Sequence, residues 1–293
     1  MVTTEYYQAE YGAGEDDNQT ALRVREILGS TPAGEPQPDL LKTLFGLLDL
    51  TSLNTDDNDL TARRLSQLLN EFPGHFPGLP QVAAVCVYPT LVEEIRNNLT
   101  NKAVRLASVG TGFPSSQTFL AVKLAECELL TKKGVDEIDV VIPVGRLIAG
   151  ENSQVMHELL LVREICKNVT LKVILETGLL KNAPQIRLAS LIAMEAGADF
   201  IKTSTGKTAI SATPEAAYTM ACAIRDFHRR TEKRVGIKTA GGIVEIRDAL
   251  VYHALVKSVL GEEWIHPGLF RIGASRLANN LLAGITGHEV VYF

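Results

Sequence analysis

Two lysines lie inside stretches of the sequence that otherwise have the aliphatic character of β-strands: Lys202 in FIKTST and Lys238 in VGIKTAGG. Burying an ammonium group without a partner is unfavourable or drives the group to its neutral form, so a lysine at such a position needs a physical reason. One reason is a buried ion pair with a carboxylate. The other is chemistry, because a neutral amine is a nucleophile toward a carbonyl carbon.

The placement of the two lysines favours chemistry. Comparable positions on adjacent parallel strands lie about 4.8 Å apart, so their ammonium groups would be near neighbours. At about 5 Å and an effective dielectric constant of about 20, the repulsion is roughly 3 kcal/mol, or about two pKa units, before burial lowers the pKa further. A lysine with an ordinary pKa of about 10.4 then approaches about 7 to 8. The pair therefore predicts imine formation with a carbonyl substrate.

Imine chemistry also needs a group that moves protons, and two aspartates in strand-like stretches are candidates. Asp139 in EIDVVIP is flanked by aliphatic residues, and Asp49 in LLDLT would relay protons or bind a substrate hydroxyl. Each aspartate is also compatible with a buried partner that neutralises a lysine, and the two roles are not exclusive. Lys172, near the start of LKVILET, is interpreted as structural and distant from the catalytic face, whereas the role of Glu176 stays open.

Glycine-containing stretches at three strand ends are candidates for phosphate binding. Gly206-Lys207-Thr208 ends like a nucleotide-binding P-loop, but eight residues separate Gly197 from Gly206 where that motif has four. Nucleotide binding through a P-loop is therefore excluded by spacing. Taken singly, each glycine pair fits a turn, but three neighbouring strand ends together predict a phosphate pocket. Its candidate residues are Gly206, Lys207, Gly241, Gly242 and Ser275.

No sequence pattern indicates a metal or an organic cofactor. The six histidines lack HxH and HExxH spacing. A GxSxG motif, which would indicate a nucleophilic serine, is absent, and no GxGxxG follows the first strand candidate. We therefore expect chemistry that uses neither metal nor cofactor.

The candidate residues lie on an alternation of short aliphatic runs and longer amphipathic stretches, which is typical of a parallel sheet flanked by helices. Eight strand candidates occur at 44–51, 82–88, 104–110, 137–144, 171–177, 200–205, 235–242 and 270–275. Helices are predicted between them, for example over 115–134 and over 213–230, where Thr213 is the expected N-cap and Pro214 the first residue. Eight βα units in about 250 residues predict a (β/α)8 TIM barrel, whose active site lies at the carboxyl ends of the strands.

The two ends of the chain differ from this pattern. Residues 1–38 are polar and rich in glycine and proline, apart from one helical stretch with Thr20 as its expected cap. We interpret them as a partly ordered N-terminal extension. Residues 39–288 form the predicted barrel domain, and residues 289–293 form a C-terminal tail.

The composition limits the possible partners. With 29 basic and 34 acidic residues the formal net charge is −5, so no overall field attracts nucleic acid or an anionic membrane. No secretory signal is recognised, and no apolar run reaches the roughly 18 residues that a membrane span requires. Cys86, Cys127, Cys166 and Cys222 lack CxxC spacing and lie among aliphatic residues, as expected of reduced, buried thiols. We expect a cytoplasmic protein that binds a small molecule.

Seven stretches between about residue 40 and residue 288 resemble, in order, the deoxyribose-phosphate aldolase family: LLDLTSLN, AAVCVYP, VDEIDVVIPVGRLIAG, LKVILETG, ADFIKTSTGK, VGIKTAGGI and FRIGAS. The resemblance implies a class I aldolase that interconverts 2-deoxy-D-ribose 5-phosphate with D-glyceraldehyde 3-phosphate and acetaldehyde through a lysine imine, without metal. By motif position it makes Lys202 the imine lysine and Lys238 the neighbour that lowers its pKa. It implies that Asp139 is the proton shuttle and that Asp49 binds a hydroxyl and relays protons. The family's phosphate pocket corresponds to the five residues named above.

Three positions of the chain differ from the family pattern. Arg276 stands where a second small hydroxyl residue commonly follows GAS, so it either strengthens phosphate binding or points outward. Thr239 replaces the usual proline after the lysine, and we expect it to loosen that loop slightly. Some family members end in a tyrosine that reaches the active site; Tyr292 is one residue from the end, so a contribution from this tail is a hypothesis. The family also implies a homodimer.

Two other functions are also compatible with the sequence. Another lysine-imine barrel, such as a transaldolase-like or keto-acid aldolase, would use the same lysine with a different acceptor, and a phosphate pocket does not distinguish the two. A catalytically silent barrel that binds a sugar phosphate belongs to a different class. The presence together of Lys202, Lys238 and Asp139 disfavours that second alternative.

Overall fold

The computed structural model describes residues 3–30 and 36–293, and its centre is a closed barrel of eight parallel strands. Neighbouring strands pair in chain order, and the last strand pairs with the first. The (β/α)8 TIM barrel predicted from the sequence is confirmed. The strands are β1 (Leu48–Thr51), β2 (Ala84–Val87), β3 (Arg105–Gly110), β4 (Glu137–Val141), β5 (Thr170–Ile174), β6 (Phe200–Lys202), β7 (Gly236–Ala240) and β8 (Phe270–Ala274).

Helices precede the barrel and then alternate with its strands. Those before β1 are α1 (Thr4–Tyr11), α2 (Asp17–Gly29) and α3 (Pro38–Gly46). Those after it are α4 (Asp59–His75), α5 (Val92–Asn98), α6 (Leu120–Lys132), α7 (Val144–Ile148), α8 (Asn152–Ile165), α9 (Ala183–Glu195), α10 (Pro214–Thr231), α11 (Ile246–Leu260) and α12 (Leu277–Thr286). Short 3-10 turns lie at Pro89–Leu91, Thr177–Leu179 and Glu262–Trp264. Among the described residues, no helix is both long and apolar enough to span a membrane.

All eight strand candidates coincide with strands, and the first differs most at its boundary. Residues 44–46 were included in it, but they belong to α3. The buried side chains of α3, Leu41, Leu44 and Phe45, are three and four residues apart and so lie on one face of a helix. The aliphatic run at 44–48 is therefore divided between the end of α3 and the start of β1.

The two helices given as examples are both present. The helix predicted from residue 115 begins only at Leu120: Ser116 has φ 58°, which a right-handed helix does not allow, and Phe119 is extended, with φ −65° and ψ 142°. For α10, the side chain of Thr213 accepts a hydrogen bond from the Ala216 N–H and Pro214 is the first helical residue, as predicted.

Residues 3–30 form two helices, which pack on the outside of the barrel against α9, α10 and α11. The predicted cap at Thr20 was wrong: α2 begins at Asp17, and Thr20 is buried within it. Asp16 is the cap, because its side chain accepts from the Gln19 N–H while the Gln19 side chain bonds back to Asp16 N–H. The parts of the predicted extension at residues 1–2 and 31–35 lie outside the described residues.

Glu195, the last residue of α9, joins α1 to the barrel. The hydroxyl groups of Tyr6, Tyr7 and Tyr11 donate hydrogen bonds to its carboxylate at 3.1, 3.0 and 2.9 Å. On the same helix, the guanidinium of Arg187 donates to the backbone carbonyl of Tyr11. These contacts connect residues more than 170 positions apart.

The two faces of the barrel strands have different chemistry. Because side chains alternate along a strand, Ile138 and Val140 of β4 lie on one face and Glu137 and Asp139 on the other. The aliphatic face packs beneath the helices, and all four side chains are buried. The charged face lies in the interior of the barrel, where residues of other strands meet it.

Candidate active site

The strand register brings the candidate lysines together inside the barrel. Lys202 pairs with Lys238 between β6 and β7, which confirms that the two lysines occupy comparable positions on adjacent strands. Between β4 and β5, Asp139 pairs with Lys172. All four residues are buried.

Asp139 contacts three lysines through its carboxylate. Its Oδ2 atom accepts hydrogen bonds from Lys202 Nζ and Lys238 Nζ, both at 2.8 Å, and its Oδ1 atom accepts one from Lys172 Nζ at 2.8 Å. Burial alone would raise the pKa of this carboxyl group, but the three lysines outweigh burial and hold the pKa well below its usual range. The three lysines therefore favour the ionised form of Asp139.

Asp49 is the second carboxylate of this interior. Its Oδ2 atom lies 2.6 Å from Lys238 Nζ and 3.3 Å from Lys172 Nζ, and its Oδ1 atom accepts a hydrogen bond from Arg271 at 2.5 Å. Burial would raise its pKa, but Arg271 first, then Lys172 and Lys238, lower the pKa below its ordinary value. Asp49 thus stabilises the charge of Lys238.

A third carboxylate, Glu137, completes this group of interior charges. Its oxygens lie 2.6 Å from Lys172 Nζ and 2.7 Å from an Arg271 guanidinium nitrogen. The Arg271 guanidinium also lies over the ring of Phe200, 5.6 Å from its centroid. We call this group the buried charge cluster; its members are Asp49, Glu137, Asp139, Lys172, Lys202, Lys238 and Arg271.

Sequence reasoning missed two members of the cluster and one contact of a third. Glu137 in EIDVV and Arg271 in FRIGA are charged residues inside aliphatic strands, the same signal that marked the two lysines. Lys172 was interpreted as structural and distant from the catalytic face; register sets it opposite Asp139, and its amine contacts that carboxylate. Only the pairing of β4 with β5 reveals this contact.

The buried charge cluster contains more basic than acidic groups. Four basic side chains, those of Lys172, Lys202, Lys238 and Arg271, share the three carboxylates. An uncompensated charge in a poorly solvated interior is unfavourable. The cluster is therefore electrically balanced when one of its lysines is a neutral amine.

The directions of the pKa shifts distinguish Lys202 from the other two lysines of the cluster, because only the pKa of Lys202 is lowered. Burial lowers the pKa of Lys202, Asp139 opposes this, and Lys238 lowers it further, so the net pKa lies below its ordinary value. Burial also acts on Lys172 and Lys238, but there Asp139 and Asp49 outweigh it and both pKa values are raised. The predicted direction for Lys202 is confirmed, although burial and not Lys238 is the larger cause.

A cleft of ≈ 180 Å³ adjoins Lys202 at the carboxyl ends of the strands. Of the three cluster lysines, Lys202 lines this cleft, whereas Lys172 and Lys238 do not. All five residues predicted to form a phosphate pocket line it as well: Gly206, Lys207, Gly241, Gly242 and Ser275. The structure therefore brings an amine with a lowered pKa and the predicted phosphate residues into one space.

The glycines of the cleft have backbone conformations that favour glycine. The φ angles of Gly206, Gly241 and Gly242 are 77°, 92° and 78°. A Cβ atom on Gly241 would lie 2.5 Å from Ser211 Cβ and 3.2 Å from Gly206 Cα, so a side chain there is excluded by space as well. Within residues 3–30 and 36–293 the N–H groups of the three glycines make no hydrogen bond, which leaves them able to donate to an anion.

Two basic residues line the cleft together with these glycines. Lys207 lines the cleft, and its amine donates a hydrogen bond to the Leu53 carbonyl at 2.5 Å. Arg276 is an exposed residue that also lines the cleft. Arg276 precedes α12, whose N-terminus carries partial positive charge.

The expectation that Thr239 loosens a loop was wrong. Thr239 is a fully buried residue within β7 that pairs with Ile272, and it is not part of a loop.

Tyr292 lies outside the cleft. Its hydroxyl donates to the Leu68 carbonyl of α4 at 2.8 Å, and its ring packs edge-on against Phe72 and Phe76, with centroids 5.8 and 5.2 Å away. The Tyr292 N–H also bonds the Asn279 side chain of α12. In this conformation the aromatic contacts hold the tail against α4 and α12, and the hypothesis that Tyr292 reaches the site is not met.

The fold and the site together define a (β/α)8-barrel enzyme with its cleft at the carboxyl face. Comparison with known families specifies the class, since residues 47–277 match the DeoC/LacD family aldolase. The chain belongs to this family of aldolases.

Curated relatives and solved structures agree with this assignment. The chain is 41% identical over 260 residues to a deoxyribose-phosphate aldolase from Homo sapiens, covering 85% of this chain and 81% of the relative. It is 42% identical over 247 residues to one from Agrobacterium fabrum, covering 84% and 91%. A solved deoxyribose phosphate aldolase from Aeropyrum pernix, described as a unique tetrameric structure, has the same fold with a TM-score of 0.65 at 23% identity over 91% of this chain and 97% of that one.

Proposed function

We propose that this aldolase cleaves 2-deoxy-D-ribose 5-phosphate reversibly to D-glyceraldehyde 3-phosphate and acetaldehyde through an imine on Lys202. The observation that carries the mechanism is the contrast among the three cluster lysines: only Lys202 both lines the cleft and has a lowered pKa. The substrate is supported by the curated relatives, which are named for this activity.

The proposed reaction begins when the neutral Lys202 amine adds to the C1 aldehyde carbon of the open-chain sugar. Loss of water gives a protonated imine, which can accept the electron pair of the C2–C3 bond. As that bond breaks, Asp139 takes the proton of the 3-hydroxyl, through water, and D-glyceraldehyde 3-phosphate leaves. The proton that Asp139 took is returned, through water, to C2 of the enamine that remains on Lys202, and hydrolysis of the resulting imine releases acetaldehyde and restores the amine.

The remaining residues have supporting roles in this proposal. Lys238 stays charged because Asp139 and Asp49 contact it, and its charge helps to keep the Lys202 amine neutral. Asp49 does not line the cleft, so proton relay suits it better than hydroxyl binding. The phosphate end of the substrate binds Gly206, Lys207, Gly241, Gly242 and Ser275, whose N–H groups and positive charge suit an anion.

Covalent trapping tests the mechanism. Borohydride added with acetaldehyde or 2-deoxy-D-ribose 5-phosphate should reduce the imine and leave a stable adduct on Lys202, which peptide mass spectrometry locates. The adduct should form in the presence of EDTA, because the imine and not a metal ion accepts the electrons. Lys202→Ala should abolish it, whereas an adduct on another residue, or none on the intact protein, would contradict the mechanism.

We also propose that the protein is a cytoplasmic homodimer. Self-association is supported by α6 and the residue before it, where Phe119, Val122 and Leu129 are 82%, 51% and 58% exposed, since such apolar side chains are usual at interfaces. Sedimentation velocity measures the assembly state, and a monomer at micromolar concentration would contradict the proposal.

The proposed cytoplasmic location is supported by the four buried free cysteines, which are compatible with a reducing compartment. Imaging of a tagged protein tests the location.

A further inference from the structure

Glu176, in the loop after β5, has a backbone conformation that is uncommon for a residue with a side chain. Its φ and ψ angles are 54° and 56°, in the left-handed region, and the residue is 2% exposed. A non-glycine residue in this region persists only where the surrounding structure holds it. The mechanism proposed above does not use this carboxyl group.

The carboxylate of Glu176 holds the loop that follows β6. Its Oε2 atom accepts a hydrogen bond from the Thr205 hydroxyl at 2.5 Å, and its Oε1 atom accepts one from the Thr205 N–H at 3.2 Å. The Thr208 hydroxyl lies 3.3 Å from Oε1, but its shorter hydrogen bond goes to the Ile210 carbonyl at 2.8 Å. The Thr205 hydroxyl oxygen accepts in turn from the Lys207 N–H at 3.1 Å. This chain of hydrogen bonds fixes the backbone on both sides of Gly206.

Glu176 acts on the cleft from behind its wall. Thr205, Gly206 and Lys207 line the cleft, whereas Glu176 does not. A carboxylate that faced a phosphate would repel it, but the oxygens of Glu176 are directed at the hydroxyl and N–H of Thr205. The contact therefore shapes the wall without adding a ligand group to it.

We propose that Glu176 is a positioning residue that holds the loop after β6 in the shape that binds the substrate phosphate. It sets the affinity for the phosphate end of the substrate and leaves the imine chemistry of Lys202 unchanged. This inference rests on the proposed function and adds a specificity determinant to it.

The test compares a phosphorylated with an unphosphorylated substrate. Glu176→Gln keeps the size of the side chain but replaces one acceptor oxygen by an NH2 group, which opposes a donor in the loop. We expect KM for 2-deoxy-D-ribose 5-phosphate to rise about tenfold with kcat little changed. For 2-deoxy-D-ribose, which lacks the phosphate, kcat/KM should equal that of the unsubstituted protein.

A second variant keeps the test informative if Glu176→Gln folds poorly. Thr205→Val removes the hydroxyl that links Glu176 to Lys207, and it should shift KM in the same direction. In the double variant the two effects should not add, because both break one chain of hydrogen bonds. Full additivity, or an equal loss with both sugars, would overturn the inference.

Failure of this inference is distinguishable from failure of the proposed function. If the unsubstituted protein forms no borohydride adduct with acetaldehyde on Lys202, the proposed function fails. If the adduct forms at the same rate in both proteins but Glu176→Gln leaves KM for the phosphorylated sugar unchanged, only the positioning role fails.

Discussion

Lys238 acts on Lys202 from the neighbouring strand, and the sign of its effect follows from the contacts. It lowers the pKa of Lys202, while its own pKa is raised because Asp139 and Asp49 together outweigh its burial. One of two adjacent lysines is thus kept charged and the other is shifted toward the neutral amine. The difference arises because Lys238 contacts two carboxylates and Lys202 contacts one.

Replacing Lys238 by leucine should move activity to higher pH. Without the neighbouring charge the pKa of Lys202 rises, and fewer carbonyl-reactive amines are present at neutral pH. Loss of a cation beside Asp139 shifts the Lys202 pKa in the same direction. The acid limb of the kcat/KM profile should move upward by about one to two pH units.

Lys102→Leu is the matched control for this prediction. Lys102 is exposed and precedes β3, at the opposite end of the barrel from the cleft, so its removal should leave the profile unchanged. An unchanged acid limb in Lys238→Leu would remove the role of Lys238 in lowering the Lys202 pKa.

At the scale of elements, the loops after β6 and β7 meet through their glycines. Gly241 approaches Gly206 so closely that a Cβ on Gly241 would lie 3.2 Å from the Gly206 Cα. The two loops are therefore not independent binding segments, and a shift of one moves the other. This contact was not predictable from either glycine pair alone.

Gly241→Ala should damage the cleft more than a positive φ angle alone explains. The new Cβ meets Ser211 at 2.5 Å, and the residue must keep φ 92°. We expect KM for the phosphorylated sugar to rise and the free energy of unfolding to fall by about 1 to 3 kcal/mol. Steady-state kinetics and chemical denaturation measure the two effects.

Gly12→Ala separates backbone strain from the clash. Gly12 has a similar φ of 79°, nothing lies within 4 Å of its added Cβ, and it lies outside the barrel. The Gly12→Ala variant should lose less stability than Gly241→Ala, and its KM for the phosphorylated sugar should not change. Equal stability losses in the two variants would show that the contact with Ser211 is relieved at no cost.

Across the whole molecule, the N-terminal helices join the barrel by contacts that connect distant parts of the chain. Three tyrosine hydroxyls from α1 converge on Glu195. Tyr7 is 2% exposed, so its hydroxyl would lose its acceptor without access to water if Glu195 were removed. The N-terminal helices are therefore expected to contribute to stability and not to catalysis.

Glu195→Ala should lower thermal stability and leave turnover unchanged. Loss of a buried hydroxyl's partner costs about 1 to 3 kcal/mol, which corresponds to roughly 2 to 12 °C in Tm for a domain of this size. Glu195 ends α9, on the side of the barrel away from the cleft, so kcat should not change. Differential scanning calorimetry and an activity assay measure both.

Glu195→Gln is the conservative variant for this prediction. It keeps one acceptor oxygen, so its Tm should lie between those of Glu195→Ala and the unsubstituted protein. An unchanged Tm in Glu195→Ala would mean that the tyrosine contacts do not hold α1 to the barrel.

The barrel could be predicted from the sequence because each strand and helix has its own local pattern, and the carboxyl ends of parallel strands share one face. Which residues of different strands meet inside was less accessible. That Lys172 contacts Asp139, and that Arg271 contacts Asp49 and Glu137, depends on strand register and stagger. The docking of residues 3–30 also needed tertiary contacts, since Tyr7 and Glu195 are 188 positions apart.

The composition of the buried charge cluster has a consequence for the substrate. With Lys202 neutral, three cations and three carboxylates balance. In the proposed reaction the imine on Lys202 carries a positive charge, so each turnover temporarily upsets this balance. The phosphate at the other end of the sugar brings negative charge to the same cleft. The substrate would thus supply the counter-ion for its own covalent intermediate.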